Sequence, residues 1–178
     1  MTPFSITYAN SLFSLADEEQ KSEAVLNDMQ TVSEVLAQNP DYVLLLDSPT
    51  IRREERIALI DEAFSSADEY VLNFLKLLCE KKAVHLFGEC FKQYVLQYNK
   101  KNNIESVTVI TAAPLSEEQI IRLTAKLEKE TGKTVKTDFK IDKSILGGII
   151  IRTENSQTDS SVRARLDSLK KQLIGGNM

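Results

Sequence analysis

Residues able to carry out catalysis or hold a metal are few in this chain, and their spacing works against both. His85 is the only histidine. It falls in a junction between two helical stretches, and no Ser-His-Asp arrangement can be built around it, so it reads as a surface or packing residue. Cys79 and Cys90 are the only cysteines. They form no Cys-x-x-Cys pair and have no histidine cluster beside them, so they read as buried free thiols in a reducing compartment. The acidic pairs Glu54-Glu55 and Glu117-Glu118 sit in the first turns of helices, where negative charge suits the helix dipole better than a metal. Gly147-Gly148 lacks the Gly-x-x-x-x-Gly-Lys-Ser/Thr spacing of a phosphate loop, and a strand follows it where such a loop needs a helix N-terminus. It reads as a turn or bulge where backbones pass closely. Asp159 reads as a helix cap, its carboxylate accepting an N–H of the first turn. The expectation is a chain that is no enzyme and carries no cofactor or metal.

Composition narrows the class further. The chain has 178 residues, 42% hydrophobic and 27% charged, which suits one or two ordinary globular domains with a real core. A formal net charge of -4 argues against nucleic acid as partner, because phosphate binding rests on clustered Lys and Arg. The apolar stretches fall far short of the ~20 residues that span a bilayer. The start, Met1 to Ser5, is expected to be neither a secretory nor an organelle-targeting peptide.

The elements that would position any site divide near Asn102-Asn103. Before that point the periodicity is helical almost throughout. Thr2-Pro3 opens a first helix that runs to about Asp17. A second spans Ser22 to Gln38, with Val25, Met29, Val32 and Leu36 in one stripe, and Asn39-Pro40 ends it. Further helices are expected over 41–46, 52–64, 69–80 and 86–99. Six helices with short connections imply an antiparallel bundle.

After the division strands appear. Ser106 to Ala112 reads as a strand stopped by Pro114. Ser116 with Gln119 makes a capping box for the next helix, and Gly132 suits its exit. Residues 135–142 alternate, with Val135, Phe139 and Ile141 on one face and Lys136, Asp138 and Lys140 on the other, as in a strand with one wet face. Ile149-Ile150-Ile151 is apolar on both faces and belongs inside a sheet. Residues 154–158 read as a turn and Asp159 opens the last helix. The fold class expected is α+β: a six-helix bundle over 1–104, then a small α/β domain with a mixed sheet over 105–178.

Two helices carry more apolar surface than one packing face requires. On a wheel of about 100° per residue, the apolar residues from Phe4 to Ala16 cover roughly 200°, and those from Tyr70 to Cys79 roughly 220°. Either both helices are central and touch neighbours on two sides, or the surplus forms a groove for an amphipathic helix from another chain. Residues chosen for the groove by their surplus face are Leu12, Leu15, Phe74, Leu77 and Leu78, and Tyr8 joins them through the resemblance given below. In the last helix Val162, Leu166, Leu169 and Leu173 form a narrow stripe with Arg163, Arg165, Lys170 and Lys171 around it. That width suits a seam against one partner or docking on the chain's own sheet.

The phrase running from Ile141-Asp142-Lys143-Ser144-Ile145-Leu146-Gly147-Gly148 to Arg152, followed by Asp159-Ser160-Ser161-Val162-Arg163-Ala164-Arg165-Leu166, resembles the C-terminal signature of a known family. This is the delta-subunit family of bacterial F-type ATP synthase, relatives of the mitochondrial oligomycin-sensitivity-conferring protein. Tyr8-Ala9, Asn73 to Leu78 and Thr111 to Ser116 extend the likeness along the chain. Ser160 stands where the family usually has glycine, and Ala83 where an arginine is common.

The resemblance implies a non-catalytic stator subunit at the cytoplasmic face of the bacterial cell membrane, touching the membrane only through the stalk. Its first and fifth helices would bind the N-terminal helix of alpha subunits. Its C-terminal domain would hold the C-termini of the b subunits, with Val162, Arg163, Arg165, Leu166 and Leu169 as the candidate contacts. The alternative from another class is a helical adaptor that binds an amphipathic helix of an unrelated partner.

Overall fold

The computed structural model describes residues 2–153 and 156–175, with the side chains of residues 167, 169 and 171–175 outside the described set. Among the described residues, eight α-helices and a four-stranded mixed sheet make an α+β fold. It divides into two compact units, Met1–Tyr98 and Asn99–Met178.

The first unit holds α1 (Pro3–Glu18), α2 (Ser22–Gln38), α3 (Pro40–Asp47), α4 (Arg53–Ala63), α5 (Glu69–Glu80) and most of α6 (Phe87–Lys101). The stripe expected on α2 is what α2 buries: Val25, Met29, Val32 and Leu36. They join Ala9, Leu12, Ala16, Leu75, Leu78, Phe87 and Tyr94 in one core. Helix ends follow local chemistry. Thr2 caps α1, its hydroxyl accepting from Ser5 N, and Asp68 caps α5 by accepting from Tyr70 N.

Three helix termini are tied by Arg56 of α4, which is 6% exposed. Its Nη1 donates to the Leu46 carbonyl at 2.8 Å and the Cys79 carbonyl at 3.1 Å, at the C-terminal ends of α3 and α5. Carbonyls of a last turn have no partner within their own helix and carry the negative end of the dipole, so a buried guanidinium meets both needs.

The second unit contains β1 (Ile104–Thr111), α7 (Glu117–Thr131), β2 (Thr134–Ile141), β3 (Ile149–Arg152), β4 (Gln157–Asp159) and α8 (Val162–Gly175). The sheet order is β2-β1-β3-β4. β1 runs parallel to β2, pairing Ile104 with Thr134, and antiparallel to β3, pairing Thr111 with Ile149. β3 is therefore interior, as its three isoleucines require. The Ser116 capping box forms with Gln119, and Gly132 leaves α7 in the left-handed conformation at φ 67°. One sheet face buries Val107, Val109 and Val135 under Leu127 of α7, while Ile110, Ile150 and Ile145 make a smaller core.

Two local expectations need correction. Residues 157–159, read as part of a turn and a helix start, form the edge strand β4 against β3. All three are polar and exposed, so no alternation announces them. The last helix accordingly begins at Val162, and its cap is Ser161, whose Oγ accepts from Ala164 N at 3.1 Å. Asp159 instead closes the turn before it, accepting from Ser161 N at 2.9 Å.

Gly147-Gly148 is a place of close backbone approach. Gly148 has φ +81°, and a Cβ there would lie 2.5 Å from the Ser160 carbonyl oxygen and 3.0 Å from Ser161 Cα. Both contacts are with backbone, which cannot swing away. Gly148→Ala is expected to cost about 2–3 kcal/mol from the left-handed penalty plus overpacking. A urea midpoint for the second unit's transition that is unchanged from wild type would refute this.

Candidate functional site

α1 is fixed on its inner side before it offers anything outward. Ser5, Ala9, Leu12 and Ala16 are its buried residues. Glu89 of α6 reaches its first turn, where Oε2 accepts from Thr2 N at 2.8 Å and from Ser5 Oγ at 3.0 Å. One turn on, the Asn10 side-chain oxygen accepts from Gln93 Nε2 and Gln97 Nε2, both at 3.0 Å. The hydroxyls of Thr7 and Ser11 donate back to the α1 carbonyls of Pro3 and Thr7, which leaves them satisfied within the helix.

The hydrogen bond from Thr2 N, and then that from Ser5, hold the Glu89 carboxyl below its ordinary value of 4.5. A lowered folded value means that the contribution is present above the unfolded pKa and is lost as pH falls through the folded one. Melting curves between pH 6 and 3 are expected to show wild type and Glu89→Gln converging as the pH drops. Parallel curves would show that this carboxylate does not hold α1.

Beside α1 lies α5, and the two together leave an apolar groove of about 550 Å³. Tyr8, Leu12 and Leu15 line it from α1, and Tyr70, Phe74 and Leu77 from α5, with Thr7, Ser11 and Asn73 also in the wall. Leu12 and Phe74 are 6% and 5% exposed and form the floor. Leu15 and Leu77, at 45% and 37%, stand at the rim. Phe4 stacks on Tyr8 with ring centroids 4.1 Å apart, which braces one end. Lys21 Nζ lies 5.3 Å from the Tyr70 ring centroid and pairs with Asp68 at 3.5 Å. None of the lining side chains carries a charge.

The structure thus brings together five of the six residues selected for the groove. Leu78 is the exception. It is fully buried in the core and takes no part in the lining. Adjacent helical residues point about 100° apart, so Leu77 and Leu78 face different neighbours. Tyr70, outside the six, also lines the groove; it lies within the surplus arc of α5, on the same side as Asn73, Phe74 and Leu77.

In α8, Val162, Arg163, Arg165 and Leu166 are exposed, Val162 at 43% and Leu166 at 53%. These two apolar residues are not covered by the chain's own sheet. The side chains of Leu169 and Leu173 lie outside the described residues.

His85, Cys79 and Cys90 take no part in the lining of the α1–α5 groove. The His85 side chain is 59% exposed, with Nδ1 2.6 Å from Asp47 Oδ2. The Asp47 carboxylate also accepts from Val84 N and His85 N, which ties α3 to the turn before α6. Cys79 and Cys90 are buried free thiols. Burial pushes Cys90 up to about 11 and raises Cys79 as well, so neither has the thiolate character of a nucleophile.

Comparison with known proteins turns this geometry into an assignment. The sequence profile of the family described as ATP synthase delta (OSCP) subunit matches residues 5–173. The chain belongs to that family. An ATP synthase subunit delta of Clostridioides difficile is 33% identical over 168 residues, covering 93% of both chains. One from Chlorobium limicola is 34% identical over 172 residues, covering 96% of this chain and 95% of the other. In fold, a chain of the Toxoplasma gondii mitochondrial ATP synthase hexamer superposes with a TM-score of 0.75 at 24% identity, covering 97% of this delta/OSCP-family chain and 98% of its own length. Among the described residues, no helix is long and apolar enough to cross a membrane.

Proposed function

We propose that this chain is the non-catalytic link of the ATP synthase stator, joining the catalytic head to the peripheral stalk at the cytoplasmic face of a bacterial membrane. In this reading residues 1–104 form a six-helix bundle that caps the head, and residues 105–178 grip the stalk. The observation that carries it is the uncharged groove between α1 and α5 on a chain of the delta/OSCP family. An amphipathic helix laid in that groove would bury its apolar face against Leu12 and Phe74 and keep its polar face wet. The N-terminal helix of an alpha subunit is the occupant that the reading assigns.

The exposed strip of α8 takes the C-terminal helices of the b subunits, through Val162, Arg163, Arg165 and Leu166, with Leu169 further along the same helix. Two contacts on one chain raise the effective concentration for the second, so the joint can be tight although each contact is modest. The mechanical role follows. A stalk that resists torque on the head keeps proton flow coupled to ATP synthesis, and the chain needs no nucleotide, metal or proton site of its own.

Membranes stripped of this subunit are expected to hydrolyse ATP without pumping protons, and adding the purified chain back is expected to restore pumping. Pumping that is indifferent to its removal and return would sink the proposal.

A further inference from the structure

Leu146 follows the 3-10 turn Lys143–Ile145 in the left-handed region, at φ 65° and ψ -26°. Bulky L-residues seldom adopt that conformation, whereas glycine does so freely. Four non-glycine residues among those described have positive φ: Gln20, Lys82, Asn103 and Leu146. Only Leu146 is apolar. Burial within the chain does not offset the strain, since the side chain is 68% exposed. A strained and exposed leucine is thus doubly unfavourable in the isolated chain, and strain of this kind gathers at functional sites.

Its surroundings show where such a residue would be used. The Gly147 carbonyl accepts from Val162 N at 3.0 Å, and a Cβ on Gly147 would lie 3.3 Å from Val162 Cγ2. The loop therefore sets Leu146 beside the start of α8, where Val162 and Leu166 are exposed one turn apart. The rim carries three exposed cations, Lys143, Arg163 and Arg165, against two exposed carboxylates, Asp142 and Asp159, which stay ionised while accepting from Ser144 N and Ser161 N, so positive charge is in slight excess.

We propose that Leu146 is a contact residue of the α8 surface, held outward to pack between the apolar side chains of an amphipathic stalk helix whose flanks are acidic. This rests on the reading of α8 as the stalk-binding surface. The left-handed turn, not the helix, sets the third apolar point, so Leu146 fixes the direction in which a partner helix can cross.

The test uses the full-length chain, with the soluble C-terminal segment of the b subunit of the same synthase as probe, by titration calorimetry beside thermal melts. Leu146→Gly is expected to weaken binding about 10-fold without lowering the melting temperature. Leu146→Ala is expected to weaken it similarly, and Arg163→Glu with Arg165→Glu to weaken it further at low salt. Wild-type affinity in Leu146→Gly would overturn the role of Leu146 and leave the stalk reading intact. A lower melting temperature in that variant would make Leu146 a structural residue and also overturn the proposal. Wild type failing to bind the segment at all would remove both.

Discussion

Replacing Leu15 and Leu77 together by glutamate is expected to weaken capture of an alpha-subunit N-terminal helix by at least about 100-fold while leaving the first unit folded. Both leucines stand at the rim of the groove and are already partly in water, at 45% and 37% exposure, so a charge there costs the free protein little. In the complex the same carboxylates would be driven against an apolar helix, in a lining that offers no positive side chain to pair with them. Calorimetry with a peptide from the alpha-subunit N-terminus, together with circular dichroism of the variant, separates the two effects. Binding retained within threefold would move the alpha contact elsewhere. Leu78→Ala provides the contrast: its cost falls on stability, because Leu78 belongs to the core.

Arg56→Met is expected to lower the stability of the first unit by about 3–4 kcal/mol, or roughly 10 °C in melting temperature. Methionine matches much of the aliphatic volume, so the loss reports the two hydrogen bonds to Leu46 and Cys79 and little of the packing. The carbonyls would stay at the negative ends of two helices with only weaker or single partners left, the Cys79 thiol at 3.4 Å for Leu46 and Lys82 N at 3.1 Å for Cys79. Arg56→Lys is expected to recover only part, because both bonds come from Nη1 and the ammonium sits on a shorter side chain that falls short of that position. A midpoint within 1 °C of wild type for Arg56→Met would show that the ends of α3 and α5 are held by packing.

Arg56 also shows where sequence reading stops. Periodicity brings out a helix with one apolar stripe, and α2 is legible for that reason, whereas β3 is legible as a short run apolar on both faces. The ends of α7 were legible too, because Ser116, Gln119 and Gly132 each have one strong local use. Arg56 stands four residues before Ile60 and eight before Phe64, and all three are buried on one face. A basic residue in an apolar stripe was therefore visible, but the carbonyls that justify it belong to α3 and α5, distant in the chain. Leu78 fails in a similar way. An arc of roughly 220° says that α5 has too much apolar surface, yet only its neighbours decide which part is floor and which is core. β4 carries no apolar residue, so it exists by pairing with β3 and has no pattern of its own. The strain at Leu146 is likewise a backbone property imposed by the turn and the passage of residues 160 and 161 past Gly148.

The absence of charge from the lining of the α1–α5 groove governs how a grip built on it responds to its surroundings. A helix bound there would draw on dehydration of apolar area, so its heat capacity change would be large and negative and concentrated salt would not loosen it. Cooling erodes the same driving force. A tether built that way would tolerate swings in ionic strength and would be most vulnerable to cold.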